Sequence, residues 1–379
     1  MSTPTKSPSP TGESVKLDDI TYELDPEGDT TLVIPRVRAS LPPLFKDLKS
    51  TALAGIYPFC ESMSFLIFPT SGFDYVTLRL RVSSKHLILA SGYYARMFRS
   101  GFREGTALRD NGHVEIPTEE PRGVAFLLLM VIIHHRTSQV PFEVSLSTLA
   151  NMAVLVDYYD CYEAVALLSR LWITGMPDIL PTALDPFPAA LNANTWLFIS
   201  WVFRNNSIFE KMTQLFITQS KAEIRGGILP TPRRILDKMN KQRSSYIARV
   251  IRDIEDLHSE VVRGCVCPLS RGTNIQLCTY AVLGALTKHM IDMQLSPAPQ
   301  SPFSGLSIHT LLDDCRTKMQ SPVIKDQHVD HTKCRLTSRI NIALSSHVEQ
   351  PGFDLDVERS SDSIPDVIAA TAATHLFSN

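Results

Sequence analysis

Hydrophobic and polar positions alternate along "VTLRLRV", Val76 to Val82. A period of two places one side of a strand in a core and the other in water. "GDTTLVIP" (Gly28 to Pro35) and "HVEIP" (His113 to Pro117) read as two more short strands, each closed by a proline. Between Lys85 and Arg99 the period changes. Leu87, Ala90, Tyr94, Met97 and Phe98 fall near one helical face, which predicts a single helix, and a charged turn bracketed by Gly101 and Gly105 follows. "TEEPRGVAFLLLMVIIHH" predicts a helix with Thr118 as N-cap and Pro121 in its first turn. Its run "VAFLLLMVII" is too short to cross a bilayer and suits a buried helix. "SLSTLANMAVLVDYYDC" predicts another helix, capped by Ser145 or Ser147, and "YEAVALLSRLWI" one more, stopping near Gly175.

The second half is patterned for helices alone. "ANTWLFISWVF", "SIFEKMTQLFITQSK", "NIQLCTYAVLGALTKHMIDM" and "SIHTLLDDCRTKM" each read as one element. Between them lies a long amphipathic helix from Thr231 to Val262, with Ile235, Met239, Tyr246, Val250, Ile254 and Leu257 on its stripe. Its basic residues (Arg233, Arg234, Lys238, Lys241, Arg243, Arg249) alternate with acids and read as a solvated face. The proline-rich stretch "DILPTALDPFPAALN" marks a domain boundary around residues 176 to 190. Residues 1–17 and 355–379 read as loose tails, and residues 36–76 follow neither period.

Composition narrows the function classes. With 379 residues, 44% apolar and 20% charged, the chain is long enough for two ordinary domains. A formal net charge of -2 predicts no bulk attraction to nucleic acid or to an anionic membrane. The first fifteen residues lack the basic-then-apolar order of a secretory leader, so the expected setting is intracellular, nuclear or cytoplasmic. The seven cysteines then default to thiols or metal ligands. No phosphate loop, nucleophile elbow, His-Glu-x-x-His helix or dinucleotide glycine pattern is present, which argues against an enzyme.

The order strand, strand, helix, turn, strand and three helices resembles the BTB/POZ domain. The stretches that carry the resemblance are "DPEGDTTLVI", "LRVSSKHLILASGYYARMFRSGFREG", "HVEIPTEEPRGVAFLLLMVIIHHRTSQVP", "VSLSTLANMAVLVDYYDCYEAVALLSRLWI" and "WLFISWVFRNNSIFEKMTQLFI". The chain is similar to fungal proteins that join such a domain to a helical C-terminal half. The resemblance implies an α+β fold, a BTB/POZ-like unit over residues 24–175 with a small sheet, and a helical domain over 190–345. Residues 36–76 stand where the family has a short connection, as an inserted loop or as unspliced sequence. The family's His before the conserved Lys is Ser84 here.

The same resemblance implies a non-enzymatic interaction module that self-associates and can serve as a substrate adaptor for a cullin-type ubiquitin ligase. It assigns Tyr94 and Phe98 to a core that also contributes to a dimer face, beside the reading that they fill the core alone. It assigns Phe102 and Glu104 to contact with a cullin scaffold, beside the reading that Glu104 only ends a turn. His134 and His135 close an apolar helix, where cationic side chains suit the terminus; a metal role is the alternative. Cys265, Cys267 and Cys278, with His331 and Cys334 further on, offer thiols and an imidazole for a structural zinc, at spacings compatible with one but not diagnostic of it. A second function follows from that set: a zinc-stabilised nuclear regulator with weak nucleic-acid contact.

Overall fold

A computed structural model describes residues 20–38, 75–118, 122–176, 180–186, 188–264, 267, 275–321, 334–347 and 352–360. The chain divides into two compact units, Met1–Pro177 and Asp178–Asn379. The division falls at the start of the proline-rich stretch.

The first unit is α+β. Strands β1 (Ile20–Glu23), β2 (Thr30–Arg38), β3 (Tyr75–Val82) and β4 (Val114–Pro117) form one sheet in the order β1-β3-β2-β4. β2 and β3 are antiparallel, with Thr30 opposite Val82 and Arg38 opposite Tyr75. β1 runs parallel to β3 and β4 parallel to β2. The alternation in "VTLRLRV" comes out as expected: Leu78, Leu80 and Val82 are buried, together with Leu32 and Ile34 of β2 and Val114 and Ile116 of β4. On the other face, Arg79 meets Glu115 at 2.9 Å across the sheet.

Several boundaries differ from the sequence expectation. The irregular stretch 36–76 is shorter than it looks, because its ends belong to β2 and β3 and pair with each other. Its remainder, and residues 1–17, lie outside the described residues. The single helix expected over Lys85–Arg99 is two: α1 (Ser84–Ala90) and α2 (Gly92–Arg99). Ser91 breaks it. Its backbone is extended, its Oγ accepts the Tyr94 amide and donates to the Tyr159 carbonyl at 2.5 Å. Such side-chain bonds compete with helix continuation. The charged turn at Gly101–Gly105 instead opens a helix, α3 (Arg103–Asn111), whose end is closed by Gly112 at φ 71°.

α4 (Gly123–Ile133) is buried nearly all round, which is why it carries no amphipathic stripe. Its N-cap is Arg122, so Thr118, which follows β4, does not start the helix. α5 (Leu146–Tyr159) is capped as predicted, by Ser145 accepting the Thr148 amide. α6 (Tyr162–Thr174) closes the unit; its Trp172 donates from Nε1 to the Pro141 carbonyl at 2.9 Å.

The second unit is helical among its described residues: α7 (Ala189–Val202), α8 (Asn206–Gln219), α9 (Arg233–Arg263), α10 (Ile275–Asp292), α11 (Ile308–Lys318), α12 (Leu336–Ala343) and α13 (Leu355–Ser360). All six stripe residues predicted for α9 are buried. Two expectations are overturned. Arg243 of α9 is no solvated cation; it is fully buried. Residues 355–360 are no loose tail; they form α13, with Leu355 and Glu358 buried. Residues 361–379 lie outside the described residues.

Candidate metal centre and partner-binding residues

Three of the predicted ligands meet. Cys267, Cys278 and Cys334 are buried and their Sγ atoms all lie within 4.8 Å of one another. Each comes from a different place. Cys278 opens the buried stripe of α10, followed at four-residue spacing by Val282, Leu286 and Met290. Cys334 precedes α12, whose Leu336 and Ile340 are fully buried, as is its C-cap Leu344. Cys267 lies on the connection from α9 to α10. The surrounding helices are tied by polar contacts. His258 of α9 bonds Thr287 of α10 at 2.9 Å, and Arg339 of α12 bonds Glu260 of α9 at 3.1 Å. Leu336 donates its amide to Ser321 Oγ at 3.2 Å, holding the start of α12.

The donor set fits zinc. A tetrahedral site with Zn–S bonds of about 2.3 Å has S···S edges of about 3.8 Å, which sulfurs already this close reach with small side-chain movement. Thiolate softness selects zinc over magnesium or calcium. Without a cation Cys334 resists ionisation. The Cys334 thiol is pushed up to about 12, first by burial and then by Cys267 and Cys278 beside it. A divalent cation reverses that balance, because it neutralises the thiolates it binds. Cys265 and His331, the other predicted ligands, lie outside the described residues, as does Cys60. Cys161 and Cys315 are also buried and pushed up to about 12, first by burial, but they stand outside the cluster and behave as small apolar side chains.

In the first unit, Tyr94 and Phe98 are 1% and 7% exposed. They stack on each other and Tyr94 stacks on Tyr159 at 5.4 Å, so α2 is bound to α5 through rings. Tyr93 of α2 lies 5.4 Å from Tyr158 and is pushed up to about 12, first by burial, then by Tyr158 and more weakly by Glu104. Phe102 and Glu104 sit where α3 begins. Phe102 is 56% exposed and Glu104 half-buried. Gly105 fixes this corner: a Cβ there would lie 2.4 Å from the Phe98 carbonyl oxygen, so only glycine lets α3 approach α2 this closely.

Two buried polar contacts were not legible as such. Ser84 donates its amide to Asp29 Oδ1 at 2.7 Å and its hydroxyl to Oδ2 at 2.6 Å. Burial pushes the Asp29 carboxyl up, but these bonds outweigh it and hold it below its ordinary value. His134 is the C-cap of α4, but as a neutral ring and not as the cation its position suggested. Its Nε2 accepts the Ser83 amide at 3.0 Å and its Nδ1 faces the Met130 carbonyl at 2.8 Å. Accepting at Nε2 puts the proton on Nδ1, which makes this a neutral histidine. Burial, with help from His86, holds it below the ordinary value.

No family model matches the chain, and neither a curated protein nor a solved structure matches it. Among the described residues no helix is long and apolar enough to cross a membrane.

Proposed function

We propose that the chain is a non-enzymatic protein–protein interaction protein. Its first unit acts as a BTB/POZ-like module that self-associates and engages a cullin-type scaffold. Its helical unit carries a structural zinc on Cys267, Cys278 and Cys334 and presents a second binding surface to a protein substrate. The observation that carries this reading is Phe102: a large aromatic side chain, more than half exposed, next to the corner where Gly105 meets Phe98, with Glu104 two residues on. An exposed aromatic anchor beside an orienting charge is the usual make-up of an interface hot spot. Leu89 and Phe142 of the same unit are more than four-fifths exposed and give further apolar surface. Tyr94 and Phe98, being buried, support a dimer by shaping α2 rather than by reaching a partner.

The thiol cluster favours the metal half of the alternative, the zinc-stabilised regulator. Its nucleic-acid half is weakened on α9, where Arg243 is buried and Lys238 is paired with Glu358. Capture of a purified cullin scaffold by the full chain tests the main reading. Phe102→Ala with Glu104→Ala should reduce that capture at least tenfold while the fold is kept. No capture by the parent chain, or equal capture by both, overturns the adaptor role.

A further inference from the structure

The last described segment, Gly352–Ser360, lies on the helical unit as a peptide lies in a groove. Gly352 enters first: a Cβ there would fall 1.8 Å from the Glu210 carbonyl oxygen, so no other residue passes. The Phe353 amide donates to Thr213 Oγ1 at 2.8 Å and the Leu355 amide to Asn206 Oδ1 at 2.7 Å. Both receivers are side chains of α8. Phe353 and Leu355 are buried, with the Lys238 ammonium 4.8 Å from the Phe353 ring centroid. Glu358 is buried and paired with Lys238, while Arg234 Nη1 donates to the Glu358 carbonyl at 2.9 Å. Arg359 lies 4.8 Å over the Trp201 ring and donates to the Trp201 carbonyl at 2.6 Å.

These contacts have the make-up of sequence-specific recognition. Backbone amides are captured by groove side chains, two apolar residues anchor, and a buried acid is read by cations. The segment holds three acids against one arginine, and the groove answers with Arg234 and Lys238. Asp354 caps the short helix internally, through the Asp356 and Val357 amides. A helix of this length does not persist alone in water, so it orders only on docking. Asp356 and Val357 are exposed.

We infer that the groove built by Trp201, Asn206, Thr213, Arg234 and Lys238 is a peptide-docking site, filled in cis by Gly352–Ser360 and able to take in trans an acidic peptide of pattern Gly-Phe-Asp-Leu-x-x-Glu-Arg from another protein. It names a partner class for the interaction protein proposed above and rests on that reading only in placing the peptide in another protein. Self-association and cullin capture play no part in its test, so the two can fail separately.

The test uses the full chain with a site-specific protease sequence in place of residues 348–351. After cutting, a fluorescein-labelled peptide spanning Pro351 to Ser361 is added, and anisotropy reads binding while circular dichroism reads folding. The cut chain should stay helical and take up the peptide. The uncut chain should bind it roughly tenfold or more weakly, because the tethered segment competes at high effective concentration. Peptides carrying Gly352→Val or Glu358→Ala should bind at least tenfold more weakly, and Lys238→Glu in the chain should recover binding of the Glu358→Lys peptide. The inference is overturned if cutting unfolds the helical unit, if the folded cut chain takes up no peptide, or if the substituted peptides bind as well as the parent.

Discussion

The two units bury polarity in opposite ways. In the first, strands and α4 supply a continuous apolar core, and the buried polar groups are neutral or matched locally: His134 between Ser83 and Met130, and Asp29 held by Ser84. In the second, the long helix α9 is flanked by connections with little apolar sequence, and the joints are made by polar groups: the guanidinium of Arg243, the carboxylate of Glu358 and a cluster of thiols. The first unit should therefore respond to protons, the second to charge removal and metal. Connections with little apolar sequence need such staples, because they bury too little hydrophobic surface of their own to offset the entropy of ordering them.

The sharpest test of this contrast is Arg243. Its Nε, Nη1 and Nη2 donate to the carbonyls of Ser220, Pro302, Phe303 and Leu306 at 2.6–3.0 Å. Arg243→Met strips the donors from four carbonyls at once and should cost about 3–5 kcal/mol. Arg243→Lys should recover little of this, since one ammonium does not reproduce the planar fork. Urea unfolding of the helical unit measures both. A loss below about 1 kcal/mol would show that water replaces the guanidinium and would remove the charged half of the contrast.

His134 gives the matching test in the first unit. His134→Leu leaves the Ser83 amide buried without an acceptor and should cost about 1–3 kcal/mol. The pH dependence has a definite sign. Folded His134 resists protonation, while the unfolded chain takes up its proton near the ordinary value of about 6.5. Its contribution to stability is therefore complete above that value and is lost as pH falls from there towards the folded-state pKa. His134→Leu should flatten this window; an unchanged pH profile would mean that another group titrates.

Removing residues 39–74 and joining the strands by a short turn should have the smallest effect. Arg38 and Tyr75 already pair across β2 and β3, so a short turn can join them directly. A shorter closure should stabilise the first unit by about 1–2 kcal/mol through the loop entropy saved. A chain that no longer folds would show that the stretch contributes to the core.

Much of this was legible because local pattern and tertiary role agreed. Period two in β3, the Ser145 cap of α5 and the stripe of α9 each follow from neighbours within a turn or two. The failures lie where a distant partner decides. β1 is four residues long and exists because β3 offers it an edge. Ser91 breaks a well-spaced helix because the Tyr159 carbonyl waits beyond it. Arg243 sits on the α9 stripe four residues after Met239, a spacing that could have flagged it as buried, but charge alone suggested solvent. For the thiols, the sequence offered five candidate ligands without a fold to join them; three are brought together from segments far apart in the chain.

The most direct measurement is metal content. Elemental analysis of the full chain, purified without chelator, should find about one zinc per chain, and Cys278→Ala and Cys334→Ala should each lose it. Chelation should melt the helical unit while the first unit keeps its own transition. A parent chain free of metal, or variants that retain it unchanged, would contradict the account.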